Sequence, residues 1–173
     1  MKGTGTSSIA ATFITWSDDG ETWSTRTVQY DPNSTANDLS VSTLRDFQTD
    51  GTYWAIADDT GSSQRGVHYI ADIKNATHWT LKTGVISYPG QKYGRLSYTN
   101  GIWFIPIEKS GKIAIMATKN LAGDWTKYDI GEINGARAVS QIAFYNEKYW
   151  AFIAAATGDG GPYIAFSTNL SEW

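Results

Sequence analysis

One pattern recurs four times along this chain. An apolar or aromatic run leads into a short turn centred on Asp or Asn, and the turn ends on Trp: TFITWSDDGETW at 12–23, HYIADIKNATHW at 68–79, IAIMATKNLAGDW at 113–125 and YIAFSTNLSEW at 163–173. The closing residues are Trp23, Trp79, Trp125 and Trp173, at intervals of 56, 46 and 48 residues. A period of about 50 residues marks stacked supersecondary units, each too small to bury its own faces alone.

A second unit precedes three of these turns: DGTYWAIAD at 50–58, NGIWFIPIE at 100–108 and NEKYWAFIA at 146–154. Asp-Gly and Asn-Gly between apolar runs are the strongest short hairpin signals. LRDF and YWAIA are expected to form one hairpin, RLSY and IWFIPI the next, and SQIAF and KYWAFIA the third. A polar, Gly-rich loop follows each (TGSSQRG, EKSGK, ATGDGGP), then the strand that enters the Trp turn, then an outer strand such as WTLKTGV or WTKYDIG. GDGG at 158–161 joins two strands and does not open a helix, so it is a hairpin loop and not a phosphate cradle.

Four strands per repeat follow, here lettered A to D. Residues 41–83 and 93–130 supply full sets, 138–173 supplies A to C and stops as D begins at Trp173, and 7–30 supplies only C and D. Antiparallel four-stranded units at this period read as β-propeller blades. The expected fold is therefore all-β, a single propeller domain over 1–173 with about 3.5 blades present. The chain opens and closes on a C strand, so the expected partners are the remaining blades of a larger propeller or other subunits. Pairing of two copies into one wheel is the other arrangement.

Composition agrees with an all-β chain. There are 8 Trp, 10 Tyr and 6 Phe, residues that suit pleated, half-buried surfaces. Net charge is −3, so no basic footprint points to nucleic acid. Cys is absent, which excludes disulfides and Cys-ligated metals. His68 and His78 read as surface strand and turn residues, and no metal or cofactor is expected. No apolar stretch approaches membrane-spanning length, and MKGTGTSSIA lacks the apolar region of a secretory leader.

The copy at 18–23, Asp18-Asp19-Gly20-Glu21-Thr22-Trp23, resembles the Asp-box, or BNR repeat, of sialidase-like propellers (Ser-x-Asp-x-Gly-x-Thr-Trp). Asp18, Gly20, Thr22 and Trp23 match its spacing, while Trp16 stands at the Ser position and Ser17 comes one place late. The other copies are degenerate and carry Asn75, Asn120 and Asn169 at the turn. The expected role is local. The Asp or Asn oxygen accepts backbone N–H bonds one to three residues on, Gly20 permits positive φ, and the Trp packs between sheets with its N–H bonded. In the family these turns lie on the rim, away from the active site. Asn33, Asn75 and Asn169 fit the Asn-x-Ser/Thr pattern, and turn chemistry accounts for the last two.

The resemblance implies that an active sialidase would carry three Arg gripping a carboxylate, a Tyr–Glu nucleophile and an Asp acid/base. Arg suits such a grip because its planar fork binds carboxylate bidentately. Arg45 and Arg95 each stand eight residues before the aligned Tyr53 and Trp103, and the third repeat has Gln141 in that region. Strand A lines the channel of a propeller, so Arg45, Arg95 and Gln141 are the candidate ligand-binding residues. A longer first hairpin turn would shift Arg45 to the other face. No Tyr–Glu pair is identifiable, so the expectation is a non-catalytic propeller module for assembly or for surface or carbohydrate recognition. The alternative is a sialidase-like glycoside hydrolase with part of its site outside this chain. The Thr-, Ser-, Gly- and aromatic-rich composition looks like that of bacteriophage tail and other virion proteins and of bacterial surface modules, which implies an extracellular or virion-surface location.

Overall fold

The computed structural model describes residues 12–28, 45–58, 66–72, 74, 80–82, 84–85, 92–132, 136–155 and 161–173. Asn33, Asn75, His78 and Trp79 lie outside these residues, as does the side chain of Arg45.

The described residues contain only strands, and every pairing is antiparallel. Sheet I pairs β1 (Thr12–Trp16) with β2 (Ser24–Val28). Sheet II is a meander of β3 (Arg45–Thr49), β4 (Trp54–Asp58), β5 (Gly66–Ile70) and β6 (Thr80–Lys82). In sheet III, β7 (Lys92–Tyr93) and β8 (Ser97–Thr99) both pair with β9 (Ile102–Lys109), followed by β10 (Lys112–Thr118) and β11 (Thr126–Glu132). Sheet IV is β12 (Ala136–Tyr145), β13 (Lys148–Ala155) and β14 (Tyr163–Ser167).

The hairpins take the geometry their turn residues favour. Asn100 (φ 51°) and Gly101 (φ 73°) join β8 to β9 in two residues, with Thr99 opposite Ile102. Both central residues at positive φ give the primed turn whose twist matches the flanking strands. Asn146 (φ 49°) and Glu147 (φ 59°) repeat it between β12 and β13. The first hairpin has the same span, with Thr49 opposite Trp54 as Tyr98 is opposite Trp103, and its Asp50 N–H donates to Tyr53 O at 3.2 Å. Asp50 closes it by accepting hydrogen bonds from the backbone N–H of Thr52 (2.8 Å) and Tyr53 (2.6 Å).

Two apolar layers hold sheets II, III and IV together. Ala55, Ala57 and Val67 of sheet II pack with Trp103, Ile105 and Ala114 of sheet III. Phe104, Ile115 and Ala117 on the other face of sheet III pack with Tyr149, Ala151 and Ile153 of sheet IV. Strand β9 serves both layers, and Trp103 through Glu108 are all buried. Because side chains alternate across a strand, a strand buried on both faces must be apolar throughout, as IWFIPI is. Each such side chain contributes about 1.5–3 kcal/mol on burial. His68 in β5 is fully buried and not at the surface.

The inner strands of the three sheets are neighbours: β8 lies against β3 on one side and β12 on the other. Gly94, just before β8, makes the closest approach. A Cβ there would lie 1.8 Å from the Val139 carbonyl oxygen. The Gly94 N–H donates to Pro106 O at 2.9 Å, and the Arg95 N–H reaches Ser140 O at 3.4 Å.

Candidate functional site

The three hairpins can be matched through their cross-strand partners. Trp54, Trp103 and Tyr149 are equivalent and oppose Thr49, Tyr98 and Phe144. The next level holds Gln48, Ser97 and Ala143. Three residues past each aromatic, Ala57 faces Arg45, Pro106 bonds Gly94, and Phe152 faces Gln141. Arg95 and Leu96 therefore stand together opposite Ile105 as a bulge. Arg45 shares a level with Gln141 and Gly94, one residue out of step with Arg95. The first turn has the same span as the others, so the shift is one of alignment: the partner of Trp103 is Trp54 and not Tyr53, and Arg45 stands nine residues before Trp54 where Arg95 stands eight before Trp103.

Arg95 and Gln141 nevertheless line one cleft. Its volume is about 210 Å³, and its walls are Gln48 from β3, the segment Arg95 to Thr99, and Gln141 to Phe144 from β12. The volume is below the ~300–1,000 Å³ of sites for drug-sized ligands, so the cleft suits one small group and not an extended chain. Gln48 is half-buried, and Arg95 and Gln141 are exposed. Ser97 is buried, and its Oγ has no hydrogen-bond partner among the described residues, a state that costs free energy unless a ligand or water supplies one. The lining offers a guanidinium, two carboxamides and the hydroxyls of Ser97, Tyr98 and Thr99, but no carboxylate. Glu108, the buried acid of the described residues, accepts the Gly111 N–H at 2.8 Å and closes the β9–β10 turn. Among the described residues no cluster of His, Asp or Glu could hold a metal ion.

The Trp turns are built differently from the simple Asp-box alignment. In the first, Asp19 and not Asp18 closes the turn. Its Oδ1 accepts from the backbone N–H of Glu21 (2.8 Å) and Thr22 (2.7 Å), while Ser17 Oγ accepts from Gly20 N–H (2.7 Å) and donates to Asp19 (2.9 Å). These bonds, the Thr22 N–H foremost, hold the Asp19 carboxyl far below the usual carboxylate range. Asp18 instead meets Lys74, in the turn after β5 of the neighbouring sheet.

The last turn repeats the device. Asn169 Oδ1 accepts from Ser171 (3.0 Å) and Glu172 (3.2 Å), and Ser167 Oγ from Leu170 (2.9 Å). In the third, Thr118 Oγ1 accepts from Asn120 (3.1 Å) and Asn120 Oδ1 from Ala122 (3.0 Å). The working pattern is thus Ser/Thr-x-Asp/Asn, with the hydroxyl two residues ahead of the Asp or Asn. That spacing was present in the sequence as Ser17/Asp19, Thr118/Asn120 and Ser167/Asn169. In the second turn Asp72 takes the hydroxyl's place and accepts the Lys74 N–H at 3.0 Å.

The closing Trp residues differ. Trp173 is half-buried and donates Nε1–H to Leu170 O at 2.8 Å. Trp125 packs against the sheet II–III layer, and its Nε1 has no hydrogen-bond partner among the described residues. Trp23 does not pack between sheets: it is 61% exposed.

No family model, curated protein or solved structure matches the chain.

Proposed function

We propose that this chain is a non-catalytic β-propeller module of the Asp-box type that recognises a surface carbohydrate through the cleft between its inner strands. The observation that carries the reading is the convergence of Gln48, Arg95, Ser97 and Gln141 from three successive sheets on one small cleft. Carboxamides, a hydroxyl and a guanidinium are the groups that read sugar hydroxyls and carboxylates. The blade reading is supported by three sheets stacked through equivalent faces, with their inner strands side by side. An extracellular or virion-surface setting, with other subunits or further blades as partners, fits such a module.

Glycan-array screening followed by calorimetry tests the reading. Binding of a saccharide by the intact chain is expected, weakened at least tenfold by Arg95→Ala and by Gln141→Ala. Failure of the intact chain to bind any saccharide would remove the proposal. The second reading, a sialidase-like glycoside hydrolase, is favoured by the presence of Arg95 in the cleft. Glycoside hydrolysis ordinarily needs a pair of carboxylates, and the described lining supplies none. Turnover of a fluorogenic sialoside, abolished by Arg95→Ala, would decide for the enzyme.

A further inference from the structure

The cleft between the inner strands carries one positive side chain, Arg95, and its described lining holds no carboxylate. Every other polar side chain there is a carboxamide or a hydroxyl, and each of these can donate a hydrogen bond. A group that only accepts therefore meets donors and no like charge. The fold brings those donors in from separate strands. Gly94 lets β12 approach the segment before β8, and the Arg95 N–H reaches Ser140 O, which fixes Arg95 beside the residue preceding Gln141. Ser97 stands opposite Phe104, on the face of sheet III turned to sheet IV. Gln48 stands opposite Ala55, on the face of sheet II turned to sheet III.

Ser97 is the wall residue that the fold itself does not need. It is only 7% exposed, and its Oγ bonds to none of the described residues. A buried hydroxyl in that state destabilises the protein, and Ala would fill the same place without that cost. The hydroxyl gains a use once an acceptor enters the cleft.

We propose, resting on the carbohydrate reading above, that the group the cleft takes is a sulfate ester on the saccharide. A sulfate monoester carries one negative charge, which one guanidinium matches. Its terminal oxygens only accept, and they point in several directions, as the donors of Gln48, Arg95, Ser97 and Gln141 come from several strands. A carboxylate is planar and is satisfied by a single Arg fork, which leaves the donors of the other strands without a task. A phosphate monoester carries a charge of about −1.5 to −2 at neutral pH, more than one guanidinium offsets. The cleft volume of about 210 Å³ suits one such compact group.

A matched ligand series titrated into the intact chain by calorimetry tests this. The probes are methyl galactoside, its sulfate ester and its phosphate ester at the primary hydroxyl, the uronic acid oxidised at that same carbon, and inorganic sulfate. The sulfate ester is expected to bind at least tenfold more tightly than the unmodified sugar and more tightly than the phosphate ester or the uronic acid. Ser97→Ala is expected to weaken the sulfate ester at least threefold while its Tm equals or exceeds that of the parent, an outcome that a purely structural Ser97 would not give. Equal affinity for the sulfated and unmodified sugars would overturn the sulfate assignment and leave the carbohydrate reading standing. Tighter binding of the uronic acid or the phosphate ester would overturn it in favour of that group. Binding of inorganic sulfate as tight as that of the ester would leave an oxyanion site and remove the carbohydrate reading instead. A Ser97→Ala variant that binds the ester as the parent does, or no binding of the ester at all, would also overturn the proposal.

Discussion

Replacing Gly94 by Ala perturbs the place where the inner strands of sheets III and IV come closest. The new Cβ would lie 1.8 Å from Val139 O and 3.2 Å from Pro106 Cβ, whereas real Cβ atoms essentially never come within 3.0 Å of such neighbours. The obstacle is backbone, so it cannot rotate away, and β12 must retreat from β8 by roughly 1.2 Å or more. That movement breaks the weak Arg95–Ser140 backbone bond and strains the Gly94–Pro106 bond. Overpacking costs about 1–3 kcal/mol, and an orphaned buried backbone group about 1–3 kcal/mol more. The expected loss is about 3–5 kcal/mol, which lowers Tm by about 10 °C for a chain of this size. Thermal and urea unfolding followed by circular dichroism measures it. Gly161→Ala is the control, since nothing lies within 4 Å of its added Cβ. A Gly94→Ala loss below about 1 kcal/mol would mean that the strands are not held at this distance and would refute the reasoning. The same retreat parts Arg95 from Gln141, so ligand affinity at the cleft falls with stability.

Four further outcomes are expected. Asp19→Ala lowers Tm more than Asp18→Ala, and Asp19→Asn retains most of the stability, because Asn169 does the same work in the last turn. The folded Asp19 carboxyl titrates below its unfolded value, so its contribution is complete above the ordinary carboxylate pKa and is lost as pH falls toward the folded one; the Tm gap between the parent and Asp19→Ala should shrink on acidification below about pH 4. Leu170→Gly relieves a non-Gly residue at φ 68°, worth about 1–2 kcal/mol. It also deletes a side chain only 6% exposed in the sheet III–IV layer, which costs more, so chemical denaturation should show a net loss of about 1–3 kcal/mol. Asp50→Ala removes both the turn closure and the Trp103 bond, and should cost about 2–3 kcal/mol by urea titration, against about 1 kcal/mol for Asp50→Asn, which keeps the oxygen that accepts from Thr52 and Tyr53 and loses the acceptor for Trp103.

The all-β class and the antiparallel hairpins were legible because their signals are local. Asn-Gly at 100–101 dictates a two-residue turn, and the unbroken apolar run IWFIPI dictates a strand buried on both faces. The level of Arg45 was not legible. It depends on whether Tyr53 or Trp54 is the counterpart of Trp103, and two adjacent aromatics leave that choice open until the pairing of Thr49 with Trp54 selects Trp54. The Asp-box copy misled for a related reason. Matching Asp18 to the consensus satisfied the spacing to Trp23, but the backbone selects Asp19, whose oxygen can reach two N–H groups while Ser17 supplies the third bond. The burial of His68 and the exposure of Trp23 follow from which sheet faces have neighbours, and that is set by packing between segments far apart in the chain.

Strand β9 bears one more consequence. Its Trp103 and Ile105 belong to one apolar layer and its Phe104 to the other, so neither layer can open without exposing the back of this strand. Sheets II, III and IV therefore have no shear plane between them, and stability cannot be divided into a sheet II–III share and a sheet III–IV share. Amide protons along β9 should exchange only through the global opening, in step with those of β4 and β13. A sequence of stacked sheets that resembles an array of separable units will then melt as one.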